Sequence, residues 1–257
     1  MSTGGPDDAA LSAQLIRLRQ DQERLFEQMR ESEAQFKALA RSVWRVQEEE
    51  RRRLARELHD GLGQNLTALR HRLDALAAAV DPETPSGRTL AEARQLCDTT
   101  LADTRSLSRL LRPQILDDLG LVAALQWLCR STGEAAGVEV ELEIGAEVEP
   151  PDGDLATLLF RVAQEALTNA VKHAQAQRIS VGLAQRERRL ALTIVDDGRG
   201  CDAGEAMAQG SIGRSSGLAG MRERVRLFGG QFQFVSRPGI GAQVRVQVPL
   251  TPGHPDG

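Results

Sequence analysis

The 257-residue chain has no tyrosine, and aromatic residues make up only 3% of it. Lysine is nearly missing too: of 32 basic residues only Lys37 and Lys172 are lysines, which leaves 30 arginines. Neither lysine follows a glycine, which excludes the G-x-x-x-x-G-K-[ST] phosphate loop. The H-R-D loop of serine, threonine and tyrosine protein kinases is absent as well. ATP chemistry on this chain therefore needs another scaffold. Cys97, Cys129 and Cys201 lie far apart without C-x-x-C spacing, which argues against a disulfide framework or a zinc site. They read as reduced thiols of a cytosolic protein. No apolar run is long enough for a bilayer; the longest, Leu119 to Cys129, falls well short of the roughly 20 residues a span needs. The start, MSTGGPDDAAL, has neither a basic nor an apolar signal-peptide region, so a cytoplasmic location is expected. The net charge of -4 speaks against direct nucleic-acid binding. His59, His71, His173 and His254 form the short list for imidazole chemistry.

Hydrophobic residues at 41% and charged residues at 26% predict a mostly globular chain. Leu11, Leu15, Leu18, Leu25, Met29, Phe36, Leu39, Val43 and Val46 recur in alternating steps of four and three. That stripe is too narrow to bury itself, so residues 11–46 predict a coiled coil with a second copy of the chain. Residues 1–10 and 251–257 are expected to be disordered. In EEERRRLARELHD, Glu48 faces Arg52 and Glu49 faces Arg53 at helical i,i+4 spacing. The seam resumes at Leu54, Leu58, Leu62, Leu66, Leu69, Leu73 and Leu76. The steps Val46, Glu50, Leu54 are both of four residues, a stutter that locally unwinds a coiled coil. No proline interrupts Leu11 to Val80, so one helix can run through most of that span. DPETPSG, Asp81 to Gly87, reads as a loop, and a second helix follows from about Ser86 to Arg112. Two such hairpins make a dimeric four-helix bundle over residues 47–132.

His59 follows the seam residue Leu58 by about 100° and so points away from the bundle centre. Asp60 stands beside it, and Gln64 lies four residues from Asp60, on its face. A neighbouring carboxylate can orient an imidazole and take its proton, which makes the free nitrogen a better nucleophile. A lone exposed histidine on a charged helix, by contrast, usually does nothing.

From Val138 the period changes. VEVELEI alternates as a strand, a long amphipathic helix runs from Asp154 to Ala174, and RISVGLA and LALTIVDDGRG form two strands. A helix from Leu218 to Phe228 and strands QFQFVS and AQVRVQVPL follow. Mixed strands with helices on one face predict an α/β sandwich over residues 133–250. Three clusters stand out. Glu165 and Asn169 share a helix face, with Lys172 three residues on, and an asparagine oxygen suits Mg²⁺. Asp196-Asp197-Gly198-Arg199-Gly200 ends a strand, where a carboxylate can accept from an adenine amino group. GSIGRSSGLAG, Gly210 to Gly220, is a glycine-rich loop running into a helix N-terminus, an anion-binding arrangement. Each alone is also an ordinary solvated face or tight turn.

RRRLARELHDGLGQNL resembles the phosphoacceptor box of two-component sensor histidine kinases, in the subgroup of the nitrate/nitrite sensors and the membrane-fluidity thermosensor. LLRPQILDDLGLVAAL resembles that subgroup's junction after the second helix. QEALTNAVKHA, DDGRG and SGLAGMRERV resemble, in order, the N box and the two glycine boxes of the histidine kinase, gyrase, Hsp90 and MutL ATP-binding fold. The resemblance implies an α plus α/β protein: a coiled coil, a dimeric four-helix bundle and a Bergerat-type ATP-binding sandwich. It implies phosphorylation of His59, with Asp60 as its base and Gln64 orienting the water that dephosphorylates a partner. It implies ATP and Mg²⁺ as cofactors, with Asn169 on the metal and Asp196 on adenine. Glu165, Lys172, His173, Gly198 and Gly200 line that site, and Gly213, Gly217, Leu218 and Gly220 belong to a lid over the phosphates. The implied partners are a second copy, a response regulator with LuxR-type output and an upstream sensor protein. Ser215 and Ser216 depart from the subgroup's usual lid. The rival readings are an ATP-binding switch or anti-sigma-type kinase on the same C-terminal fold, or a non-catalytic coiled-coil scaffold.

Overall fold

The computed structural model describes residues 6–111, 113–204, 206 and 216–250. The chain divides into two compact units, Met1–Val46 and Gln47–Gly257. The termini 1–5 and 251–257 lie outside the described residues, as does most of the glycine loop, including Gly210, Gly213 and Ser215.

The first unit is helical from Pro6 onward, as part of α1 (Pro6–Glu57). Helix thus begins inside the stretch 1–10 expected to be disordered. Proline at the first helical position, followed by Asp7 and Asp8, suits a helix start: proline's φ is preset and acids complement the positive helix end. From Leu18 on, the seam stands in solvent: Leu18, Leu25, Met29, Phe36, Leu39, Val43 and Val46 are all exposed. The Leu11 and Leu15 side chains fall outside the described ones.

In the second unit α1 does not continue as one α-helix. A π-helical turn, Leu58–Gly63, separates it from α2 (Gln64–Ala77). The spacing explains it. Leu54, Leu58, Leu62 and Leu66 advance in steps of four, and each step drifts about 40° around an α-helix. A π turn holds more residues, so it absorbs the drift and returns the leucines to one face. Thr84 caps α3 (Pro85–Leu111), its Oγ1 accepting from Gly87 N at 3.0 Å, so this helix starts at Pro85, inside the expected loop. The hairpin is joined by Ser108 Oγ donating to Ala55 O (2.9 Å), by an Arg70–Asp98 ion pair and by Arg94–Asp74 at 2.6 Å.

The ion pairs within EEERRR fall at other spacings than the expected i,i+4 pairs Glu48–Arg52 and Glu49–Arg53, and Glu49 pairs with Arg52 and Arg56. Glu48 pairs with Arg51 and with the distant Arg161, Arg52 with Asp117, and Arg53 with Glu50. Tertiary partners at a helix junction compete with local ones, because a partly buried pair is less screened than an exposed one.

After Pro113 come a short α4 (Gln114–Asp118) and α5 (Gly120–Ala136). The near-continuous apolar run Leu119–Cys129 hides the helical period of α5 in the sequence. Its buried residues Leu121, Ala124, Leu125, Leu128 and Cys129 follow the helical period, and Gly137 ends it with φ 67°. Residue 132, the expected domain boundary, lies inside this helix, which packs on α6 and β1.

The sheet holds β1 (Glu139–Ile144), β2 (Arg178–Arg186), β3 (Arg189–Asp196), β4 (Gln231–Arg237) and β5 (Gly241–Pro249) in the order β1-β2-β3-β5-β4. β1 and β2 are parallel and the other pairs antiparallel. α6 (Gly153–Asn169) and α7 (Ser216–Leu227) accompany it, and a second π turn, Ala170–Ala174, extends α6. Leu158, Leu159, Phe160 and Val162 of α6 are fully buried with Ile179, Leu190, Leu192, Met221 and Val246. Each such side chain contributes roughly 1.5–3 kcal/mol by leaving water. This core fixes α6, and with it the polar stripe that α6 carries.

Candidate active site

His59, Asp60 and Gln64 are all exposed, and the first two lie within the π turn. An open groove of about 380 Å³ is lined by His59, Gln64, Thr67, His71 and Arg105 among others. A second, of about 220 Å³, is lined by His59, Arg105, Ser108, Gln114 and Trp127. Gln64 therefore shares a groove with His59, and Asp60 is not among the lining residues. The π turn is the cause. In an α-helix, residues five apart diverge by about 140°. A π turn bonds i to i+5 and brings them onto one face. An unbroken α-helix would instead put Gln64 on the face of Asp60. Arg105 reaches the grooves from α3 and carries no local sequence signal near His59.

The second cluster forms where α6, the end of β3 and the start of α7 meet. Glu165 and Asn169 are half-buried on α6. Gly217, in the first turn of α7, lies so close that an added Cβ would overlap Glu165 Oε1 and sit 3.6 Å from Asn169 Nδ2. The fold thus brings these three residues together. Gly198 packs on the π turn: a Cβ there would stand 2.5 Å from the Ala174 carbonyl oxygen, and Arg199 N donates to that oxygen at 2.8 Å. Gly200, with φ 60°, is pressed against the Arg237 carbonyl and tolerates no Cβ. The DDGRG turn is thereby clamped between α6 and the β4–β5 turn. Leu218 and Gly220 follow on α7, half-buried.

Asp196 and Asp197 differ. Burial pushes the Asp196 carboxyl above the usual range, partly offset by the Gly198 and Ala242 amides. Asp197 is exposed and accepts from Arg178 N (2.9 Å) and Gln177 N (2.8 Å), which hold it below the usual range. Asp197 thus fastens the start of β2, while Asp196 sits half-buried at the end of β3. A desolvated carboxyl at a strand end fits an adenine amino group, and Asn169 with Glu165 beside a helix start fits Mg²⁺ and phosphates. Lys172 and His173 are exposed on the second π turn. Lys172 lines a separate cavity with Trp127, Thr168 and Val171. Cys129 is buried, its thiol pushed up to about 11, and is chemically inert.

Residues 50–116 match the family described as histidine kinase. Residues 154–252 match that of the histidine kinase-, DNA gyrase B-, and HSP90-like ATPases. The chain belongs to the histidine kinase family. It is 35% identical over 90% of its length to the sensor histidine kinase MctS of Rhizobium johnstonii, covering 50% of that protein. It is 31% identical over 83% to the signal transduction histidine-protein kinase/phosphatase DegS of Brevibacillus brevis, covering 55% of it. It is 33% identical over 80% to the oxygen sensor histidine kinase NreB of Staphylococcus carnosus, covering 58% of it. The chain thus spans about half the length of these relatives. Among the described residues no helix is long and apolar enough to cross a membrane.

Proposed function

We propose that this chain is the catalytic core of a cytoplasmic sensor histidine kinase that phosphorylates His59 from ATP. The convergence of Glu165, Asn169 and Gly217 beside the clamped Asp196 turn, in a chain that also exposes His59, carries this reading. Bound ATP-Mg²⁺ supplies the γ-phosphoryl group. The chain's own residues do the positioning, the main requirement in phosphoryl transfer. Asp196 accepts from adenine, Asn169 holds the metal with Glu165 beside it, and Gly217, Leu218 and Gly220 set the start of α7 at the phosphate end. The matching lid residue Gly213 and His173 complete the nucleotide-binding set, while Lys172, on a separate cavity, stands outside it. A free nitrogen of His59 forms the P–N bond as the bond from γ-phosphorus to ADP breaks. Asp60 takes the proton from the other ring nitrogen. The phosphoryl group then passes to an aspartate of a response regulator with LuxR-type output. Gln64, in the His59 groove, orients water for the reverse duty of dephosphorylation; DegS carries "phosphatase" in its name.

The working form is a homodimer, because Leu62, Leu69 and Leu76 of the first hairpin arm and Leu96 and Leu107 of α3 stand exposed on a single chain. The hairpin closes near Pro113, and α5 belongs to the ATP-binding domain it packs on. Incubation with γ-labelled ATP tests the reading. Acid-labile, base-stable label is expected on the parent chain and none on His59→Gln. Label that survives in His59→Gln rules out His59, and absence of nucleotide binding rules out the kinase.

A further inference from the structure

Arg161 and Glu48 are 113 positions apart and both buried, with side chains 8% and 9% exposed. Arg161 Nη2 donates to Glu48 Oε2 at 2.7 Å, and Nε lies 3.1 Å from both carboxylate oxygens. The remaining donors are used too: Nη2 reaches Leu111 O at 2.5 Å and Nη1 reaches Gln164 Oε1 at 2.8 Å. One guanidinium thus joins the end of α1, the last residue of α3 and the middle of α6. Arg52 adds a second tether, pairing with Asp117 of α4 at 2.9 Å.

Three facts give this node a direction. Arg161 is one helical turn ahead of Glu165 and two ahead of Asn169, so it rides the helix that carries the nucleotide-binding stripe. None of Glu165, Asn169, Asp196 or Gly217 lines either groove beside His59, so the donor residues and the acceptor histidine do not share a groove in this arrangement. Glu48 lies just past the coiled-coil seam, at the stutter, where helix rotation changes which face it presents.

We propose that the Glu48–Arg161 pair is an autoinhibitory latch that holds the ATP-binding helix against the base of the phosphotransfer hairpin, away from His59. A rotation of α1 that withdraws Glu48 frees α6 and lets the ATP domain reach the histidine. The latch suits a switch because its two states differ sharply. Satisfied, the pair is fully hydrogen-bonded; with Glu48 withdrawn, a buried Arg161 is left uncompensated and the interface must open to water. Arg224 sits in the same charge field: burial pushes its guanidinium below the usual range, while Glu165 and Glu48 counter this.

The proposal rests on the kinase reading, and its test separates the two. Glu48→Gln keeps the shape and removes the charge; Arg161→Lys keeps the charge and loses the fork. The expected result for Glu48→Gln is an initial rate of His59 labelling at saturating ATP about fivefold above the parent, with ATP affinity within about twofold. Arg161→Lys should raise the rate less, and the double variant should be no faster than Glu48→Gln alone, since both break one contact. Without nucleotide, amide exchange in α4 and the first turns of α6 should quicken about tenfold in Glu48→Gln. An unchanged rate and exchange overturn the latch. So does a slower rate with ATP affinity intact, which would make the pair a support of the transferring state. Loss of ATP affinity in both variants also overturns it, since the pair would then only brace α6. A parent chain that takes no label defeats the kinase reading, while the exchange measurement still decides the contact.

Discussion

Asp196 and Asp197 are adjacent and chemically identical, yet they face opposite surroundings. Asp197 is ionised more readily in the fold than outside it. Its contribution to stability is therefore present above the unfolded carboxyl pKa and is lost as pH falls through its lower folded value. Asp197→Asn should melt below the parent at pH 7, and the gap should close in acid; thermal melts across pH 3–7 check this. Asp196 carries the reverse sign: burial raises its pKa, so its charged form costs apo stability once pH rises above that value. Asp196→Asn should keep or raise the apo melting temperature at pH 7 and bind ATP roughly tenfold more weakly, the usual weight of a hydrogen bond to a charged group. Nucleotide titration reads the second effect. The family resemblance put Asp196 on adenine, and the amides of Gln177 and Arg178, brought in by β2, show what Asp197 holds instead. At the other site, Gln64→Ala should leave His59 labelling intact and slow partner dephosphorylation about tenfold or more, the low end for loss of a water-positioning group. Equal dephosphorylation by both proteins counts against that role.

Two π turns, Leu58–Gly63 and Ala170–Ala174, stand at the two places where chemistry is proposed. The first brings His59 and Gln64 into one groove, which a straight α-helix would keep about 140° apart, in the way π turns mark functional segments. The stutter read at Val46, Glu50 and Leu54 lies upstream of the first π turn, within α1, although the four-residue steps do continue to Leu66. The place of the π turn was not legible, because either an unwound coil or a π turn can absorb the same drift. Glycines at element junctions behave differently by neighbour. At Gly217 a new Cβ meets the far end of the Glu165 side chain, and at Gly198 it meets the backbone of Ala174. Gly217→Ala should therefore fold normally but weaken ATP binding by about tenfold through a displaced Glu165. Gly198→Ala should lose about 1–3 kcal/mol of stability, since a backbone carbonyl cannot swing aside. Denaturant melts and nucleotide titration on the two variants separate these outcomes.

At the scale of the molecule, apolar side chains stand unpaired along both units. The Leu18–Val46 seam is exposed from end to end, and the hairpin exposes Leu62, Leu69, Leu76, Leu96 and Leu107. Patches of this kind mark association surfaces, and the two lie on segments whose heptads or leucine steps predict the same partner, a second copy. Removal of residues 1–46 should weaken the dimer about tenfold or more while leaving the hairpin's own contact surface in place. Sedimentation across a dilution series measures this, and an unchanged dimer constant would make the seam a passive stalk. The same truncation ends two residues before Glu48, so it also removes the lever that the latch requires.

The sequence by itself determined the class of chemistry and the order of the elements. Period is a local property: seven-residue steps make a coil, alternation makes strands, and glycine runs make turns, whatever lies elsewhere. His59, Asn169, Asp196 and the glycines stand in short local motifs, and it is the resemblance to a family, not period, that gives those motifs their chemical meaning. α5 had its period in the sequence as well, masked by the near-continuous apolar run around it. What only the tertiary structure decided depends on residues far apart in the chain. It placed Gln64 under His59 by a π turn, set Arg105 beside them from another helix, sent Lys172 to a different cavity, and buried Arg161 on Glu48. A buried ion pair carries no sequence signature, because its two halves are ordinary charges on ordinary helix faces until the core of α6 and the sheet brings them together and removes the water between them.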